Sequence, residues 1–174
     1  AKAIVDFAVA NFNTVHILIN NAYVFRLQYI WICNSHFHSG FVRDKSFVNM
    51  TEDDWDQIYS VHLKSNFLLS KHCWEYMKRQ NFGRIIVTSS AAGLYGNFGQ
   101  ANYAACKQAV VAFANTLSQE GKKFNILVNS IAPFAGTRIS ATILPPNIVA
   151  ALKPEYITPL VLYLCSDVNK QDTG

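Results

Sequence analysis

Hydrophobic positions along the chain follow two alternating periods. Ile4, Val5, Ala8 and Phe12 share one face of a helix predicted over residues 1–12. His16 to Asn21 then forms a short apolar run, read as a buried strand. Thr51-Glu52-Asp53-Asp54 is a capping-box-like helix start with its acidic residues in the first turn. From there Trp55, Ile58, Tyr59, Leu63, Phe67, Leu68, Cys73, Trp74 and Met77 carry one long helix toward Arg79. Arg84-Ile85-Ile86-Val87-Thr88 is a second strand, β-branched and apolar as in a parallel sheet covered on both faces. Gly93, Gly96 and Gly99 punctuate a loop, after which a helix runs from Tyr103 until Gly121 can end it. Phe124 to Ile131 is the third strand, Pro145 and Pro146 start a short helix, and Pro154 to Cys165 is an apolar helix with Pro159 in its first turn. Strands separated by helices predict a doubly wound α/β domain with a parallel sheet.

Composition narrows the class. A chain of 174 residues, 51% hydrophobic and 15% charged, suits one globular domain and excludes disorder. The net charge of +4 comes without a Lys/Arg cluster, so nucleic acid is not an expected partner. Cys33, Cys73, Cys106 and Cys165 lack CxxC spacing and sit in apolar surroundings, as reduced thiols of an intracellular protein would. No apolar run reaches the roughly 18 residues of a membrane span, and the first residues carry no secretory signal pattern. There is no internal repeat.

Chemistry enters between Gly83 and Lys107. Tyr103 and Lys107 are four apart and so lie on one helix face. Ser90, at the carboxyl end of the second strand, can reach the same point, and that edge of an open α/β sheet is where ligands bind. A tyrosine hydroxyl has a reference pKa of about 10, and a nearby ammonium favours the phenolate, bringing it toward use as a general base. The bland alternative is a core tyrosine, a snorkelling lysine and a loop serine. Ser90, thirteen residues upstream of Tyr103 on a strand end, tips the balance toward a proton-transfer site beside a nicotinamide.

At these spacings Ser90, Tyr103 and Lys107 resemble the catalytic residues of the short-chain dehydrogenase/reductase family. The runs TSSAAGLYGNFGQANYAACK, EDDWDQIYSVHLKSNF and ALKPEYITPLVLYLC resemble its (3R)-hydroxyacyl-CoA dehydrogenase subfamily from peroxisomal multifunctional enzymes. The resemblance implies a Rossmann-like fold, NAD as cofactor, an acyl-CoA substrate, a homodimer for the complete domain and a peroxisomal location. The mildly basic chain suits the anionic coenzyme A ester. It implies Tyr103 as general base, Lys107 as the group that lowers its pKa and binds the nicotinamide ribose, and Ser90 as the group that orients the substrate oxygen. Asn21 and Ala22, in a stretch similar to the family's Asn-Asn-Ala-Gly, are cofactor-side residues, Asn21 toward the adenosine half. Pro133 begins Pro133-Phe134-Ala135-Gly136-Thr137 where the family has Pro-Gly, leading to a threonine, here Thr137, that holds the nicotinamide amide. His62 stands where most of the family has an asparagine anchoring a relay water. A mid-helix histidine is more often a hydrogen-bonded core residue. Ala141 to Leu152 is expected to form the mobile segment over the substrate.

Two departures qualify the resemblance. Nothing upstream supplies the strand, glycine-rich turn and helix that open a dinucleotide-binding half, and no final strand follows Gly174. The expectation is a sheet truncated at its N-terminus and at its C-terminus, without the residues that choose NAD over NADP. Residues 23–39, YVFRLQYIWICNSHFHS, separate Ala22 from Gly40 with five aromatics and few turn residues, and read as an insert. A translated retained intron is the preferred origin. The alternatives are an insertion packing on a partner or coenzyme, or a metal site from Cys33, His36 and His38, which lacks a fourth ligand. The rival reading of the whole chain is a non-catalytic pairing fragment or unstable product descended from the enzyme; a short-chain dehydrogenase for another alcohol or a steroid is a further alternative.

Overall fold

The computed structural model describes residues 1–21, 42–135 and 145–174. Three short strands form a parallel sheet in the order β1-β2-β3: Ile17–Asn20, Gly83–Thr88 and Ile126–Ile131. Ile17 pairs with Arg84 and Asn20 with Val87, while Gly83 pairs with Ile126 and Thr88 with Ile131. Alternate β2 side chains enter two cores. Ile85 and Val87 join Leu18, Val128, Leu69, Met77 and Val110 on one side, under helices α1 (Lys2–Phe12), α3 (Ser65–Arg79) and α5 (Ala101–Gly121). Ile86 meets Ile19, Leu164 and Cys165 on the other, under α7 (Thr158–Cys165). Helices on both faces explain why all six β2 residues are buried. The expected Rossmann-like, doubly wound arrangement is present.

Several local expectations hold with corrections. The Thr51 box closes in full at the head of α2 (Glu52–Tyr59): Thr51 accepts from the Asp54 N–H, and the Asp54 carboxylate accepts from the Thr51 N–H. The long helix runs to Arg79 as expected, with one irregularity: Ser60–Lys64 is a π turn between α2 and α3, with the Ser65 N–H bonding to the Ser60 carbonyl. The stretch after Ser90 is not all loop: Ala91–Tyr95 is a short helix, α4, and α5 begins at Ala101, two residues before Tyr103. Phe12 is 53% exposed; of that predicted face Val5 and Ala8 are buried and Ile4 packs partly against the core. Pro146–Ala151 is the expected short helix, α6, and Pro159 sits in the first turn of α7.

Arg84, placed by its sequence within an apolar run, is buried at the start of β2 and stacks on Phe82 at 4.2 Å. It donates to the carbonyls of Gly83, Asn125, Ser166 and Asn169 at 2.8–3.3 Å, so a desolvated guanidinium is satisfied by backbone and ties α7's exit to the sheet. Residues 172–174 run beside β3: the Val128 N–H donates to Thr173 Oγ1 and the Gly174 N–H donates to the Val128 carbonyl.

Candidate active site

The carboxyl ends of the strands carry the expected residues. Asn21 follows β1, and Thr88 donates to its Oδ1 at 3.4 Å. Thr88, Ser89 and Ser90 end β2, and Pro133 lies two residues past β3, half-buried. Ser90 caps α4, its oxygen accepting the Ala92 N–H at 3.3 Å; the hydroxyl proton is not used in that bond. Ser89 is buried and donates to the Lys107 carbonyl at 2.6 Å, fastening α5 to the strand end.

Lys107 is the electrostatic centre. Only 4% exposed, its ammonium donates to the Thr88 carbonyl at 2.7 Å and lies 5.5 Å from the centroid of the Tyr103 ring. Burial pushes its pKa down to about 8. The adjacent Cys106 thiol is pushed up by burial and stays neutral at pH 7, so it supplies no counter-charge. A lysine at about 8 is still mostly charged at neutrality. This ammonium is therefore held beside a half-buried phenol with little water to screen it.

His62 comes into the same group through the π turn. It is buried, and its ring meets the Tyr103 ring edge-to-face, centroids 5.1 Å apart and planes at 87°. Asn66 Nδ2 donates to the His62 carbonyl at 2.8 Å, fixing the backbone at the irregular turn. π turns occur often at functional sites, and here one delivers the histidine to the tyrosine.

Tyr103, Lys107 and His62 are thus brought together, with Ser90 at the adjoining strand end, while Asn21 and Pro133 stand on the flanking strands. Ala22 and Thr137 lie outside the described residues, as do residues 23–39 with Cys33, His36 and His38. Two residues beyond those expected shape the site. A Cβ on Gly93 would stand 2.7 Å from both the Lys107 carbonyl carbon and its Cβ, so only glycine lets α4 approach α5 there. Asn102, fully buried, bonds to the first turn of α5 and to α2. The sequence signal for the first is a glycine that the chain places in a helix, and for the second an asparagine directly before the tyrosine.

The donor set fits a nicotinamide dinucleotide. An ammonium carries three N–H groups, the Thr88 carbonyl takes one, and the remaining two suit the vicinal hydroxyls of a ribose.

Residues 1–143 match the short chain dehydrogenase family. The chain is 51% identical over 173 residues to peroxisomal multifunctional enzyme A of Dictyostelium discoideum, covering 99% of this chain and 35% of that protein. It is 44% identical over 173 residues to peroxisomal multifunctional enzyme type 2 of Mus musculus, covering 99% of this chain and 21% of that one. The solved full-length peroxisomal multifunctional enzyme type 2 of Drosophila melanogaster superposes with a TM-score of 0.69 at 44% identity, over 78% of this chain and 24% of that chain. The chain therefore spans about a third or less of these relatives. Members of the matched family generally use NAD or NADP. By the match over residues 1–143, with the parallel sheet and the buried lysine one turn after the tyrosine, this chain belongs to the short chain dehydrogenase family.

Proposed function

We propose that this chain carries the catalytic part of an NAD-dependent dehydrogenase that oxidises a (3R)-hydroxyacyl-CoA to the 3-ketoacyl-CoA in peroxisomal fatty-acid β-oxidation. The observation that carries the reading is the Lys107 ammonium, buried and 5.5 Å from the Tyr103 ring at the carboxyl edge of the sheet. The bound dinucleotide supplies the hydride acceptor. Tyr103, as phenolate, takes the proton from the substrate's 3-hydroxyl, and Lys107 stabilises that phenolate through the low-dielectric space between them. Lys107 also holds the nicotinamide ribose. Ser90 donates its free hydroxyl proton to the developing carbonyl oxygen and keeps it against Tyr103. His62 packs on the phenol ring, where it limits the ring's rotation and provides an exit for the proton. By the family resemblance Asn21 would contact the adenosine half and Thr137 the nicotinamide amide, with Ala22 and Pro133 as further cofactor-side residues.

We further propose a homodimer for the complete domain, supported by Trp55, Tyr59 and Phe67, which are exposed along α2 and α3. Residues 23–39 are proposed as an insert within one partial dehydrogenase domain. Among the described residues, no helix is long and apolar enough to cross a membrane. The names of the relatives support a peroxisomal location. The test is an assay of the full chain with (3R)- and (3S)-3-hydroxyacyl-CoA, each with NAD and NADP. The reading expects reduction of NAD with the (3R) substrate alone, and equal rates with the two enantiomers would remove it.

A further inference from the structure

The amide of Tyr103 has an unusual partner. Tyr103 is the third residue of α5, so its N–H is one of the four that a helix start cannot satisfy internally. The N-cap residue, Gln100, makes no side-chain cap hydrogen bond. The bond comes instead from inside the helix: Asn102 Oδ1 accepts the Tyr103 N–H at 2.7 Å. The other end of the same amide, Nδ2, donates to the Asp54 carbonyl of α2 at 3.0 Å and reaches the Arg43 carbonyl at 3.5 Å. Asn102 is fully buried, where an unmet amide would be costly, so both ends are held in place.

The far end of this link is itself anchored. The buried Asp54 carboxylate accepts from Lys45 Nζ at 2.7 Å, Thr51 Oγ1 at 2.6 Å and Arg43 at 3.4 Å. The Lys45 N–H donates to the Gly99 carbonyl at 2.9 Å, and Gln100 donates to Asp44 at 2.9 Å, so residues 43–45 are stitched to the turn that leads into α5. The Asn102 side chain joins this anchored region of α2 to the base of the tyrosine.

We infer that Asn102 is a positioning residue for Tyr103, a two-ended clamp that caps the tyrosine's amide and tethers it to α2, so that the phenol stays against His62 and above Lys107. The inference rests on Tyr103 being the reacting group, but its geometric content does not need the reaction. A residue that only filled space would tolerate loss of either hydrogen bond with no change in the Tyr103 ring. A clamp would not, because the amide it caps belongs to the tyrosine itself, the next residue of α5.

Three readouts test it in the full chain. The first uses the unaltered protein: the Tyr103 amide should exchange with solvent at least about tenfold more slowly than in Asn102→Ala, and equal exchange overturns the cap. The second is the nuclear Overhauser contact between the His62 and Tyr103 rings, whose centroids are 5.1 Å apart. It should weaken several-fold in Asn102→Ala. Asn102→Asp, of equal size, keeps an oxygen for the Tyr103 N–H and removes the donor to Asp54; there the amide should stay protected while the ring contact weakens. A full-strength ring contact in Asn102→Asp overturns the tether, and this variant serves also if the alanine form does not fold. The third is kinetic: kcat should fall about tenfold with the dinucleotide Kd within twofold, whereas unchanged kcat overturns the role. The first two readouts need no substrate or dinucleotide. They decide the role of Asn102 even where the dehydrogenase assay itself is negative.

Discussion

Replacing Lys107 with Met separates stability from function. The lysine's pKa is lowered from 10.5 to about 8 by burial, so the folded state holds a charged form that water would hold better. At 1.36 kcal/mol per pKa unit this costs about 3 kcal/mol at pH 7. Met fills similar volume without the charge, but it leaves the Thr88 carbonyl without its 2.7 Å donor, a loss of about 1–3 kcal/mol. At pH 7 the variant should therefore be as stable as the native chain, or more stable by up to about 2 kcal/mol, a gain of up to roughly 8 °C for a domain of this size. The sign then turns with pH. A lysine whose folded pKa lies below its unfolded value is a liability below about 8, and the liability fades as the unfolded chain loses its proton near 10.5. Between pH 7 and 10 the stability of the native chain relative to Lys107→Met should rise by about 2–3 kcal/mol. Urea unfolding of both proteins at the two pH values reads that difference directly, and titrating groups remote from Lys107 cancel in it. A swing below about 1 kcal/mol would show that Lys107 is solvated and that its charge is screened by water, contrary to the account of the site. Turnover should be lost in the variant at every pH, the expected trade between a strained site and stability.

Other substitutions probe the frame around the site. Gly93→Ala puts a methyl group against the backbone of Lys107, which cannot swing aside as a long side chain could; a loss of about 1–3 kcal/mol is expected, with kcat falling, and an unchanged melting temperature would refute the close approach. Arg84→Met keeps an apolar chain beside Phe82 but removes the guanidinium stacked on it and strips donors from the Ser166, Asn125 and Asn169 carbonyls, and should lower stability by about 3 kcal/mol in a thermal scan with activity per folded molecule unchanged. Deleting Tyr23 to Ser39 rejoins Asn-Asn-Ala to Gly40 and removes five aromatic residues; soluble yield should rise, and a lower yield or a lower melting temperature would make the segment an evolved part of the protein.

Much of this was legible in the sequence because it depends on local geometry. The β-branched run at Arg84–Thr88 could be read as a strand buried on both faces, and it is one. Helix periodicity alone puts Tyr103 and Lys107 on one face, wherever the helix begins. What escaped depends on contacts between distant segments. A five-residue helix such as α4 is too short for any apolar period to declare itself, and its glycine reads as a loop signal until Lys107 is packed against it. The π turn at His62 inserts one residue in one turn, which barely alters the spacing of apolar positions from Trp55 to Met77. Phe12 fits the helical stripe, but α1's last turn runs beyond the core and ends at Asn13 in a left-handed conformation. Asn102 meets Arg43 and Asp54 across about fifty residues of chain, and nothing local marks it. A snorkelling Lys107 and a buried one are the same letter in the sequence.

The most direct test of the account is turnover of Tyr103→Phe. The phenol hydroxyl acts on the reacting oxygen and not on the dinucleotide, so removing it should cost about 10²–10⁴-fold in kcat and leave the dinucleotide Kd within a few-fold. The assay is pre-steady-state reduction of NAD with the (3R) substrate, beside a calorimetric titration of the dinucleotide in both proteins. A kcat within tenfold of the native value, with binding intact, would take the proton transfer away from Tyr103 and contradict the mechanism built on Lys107.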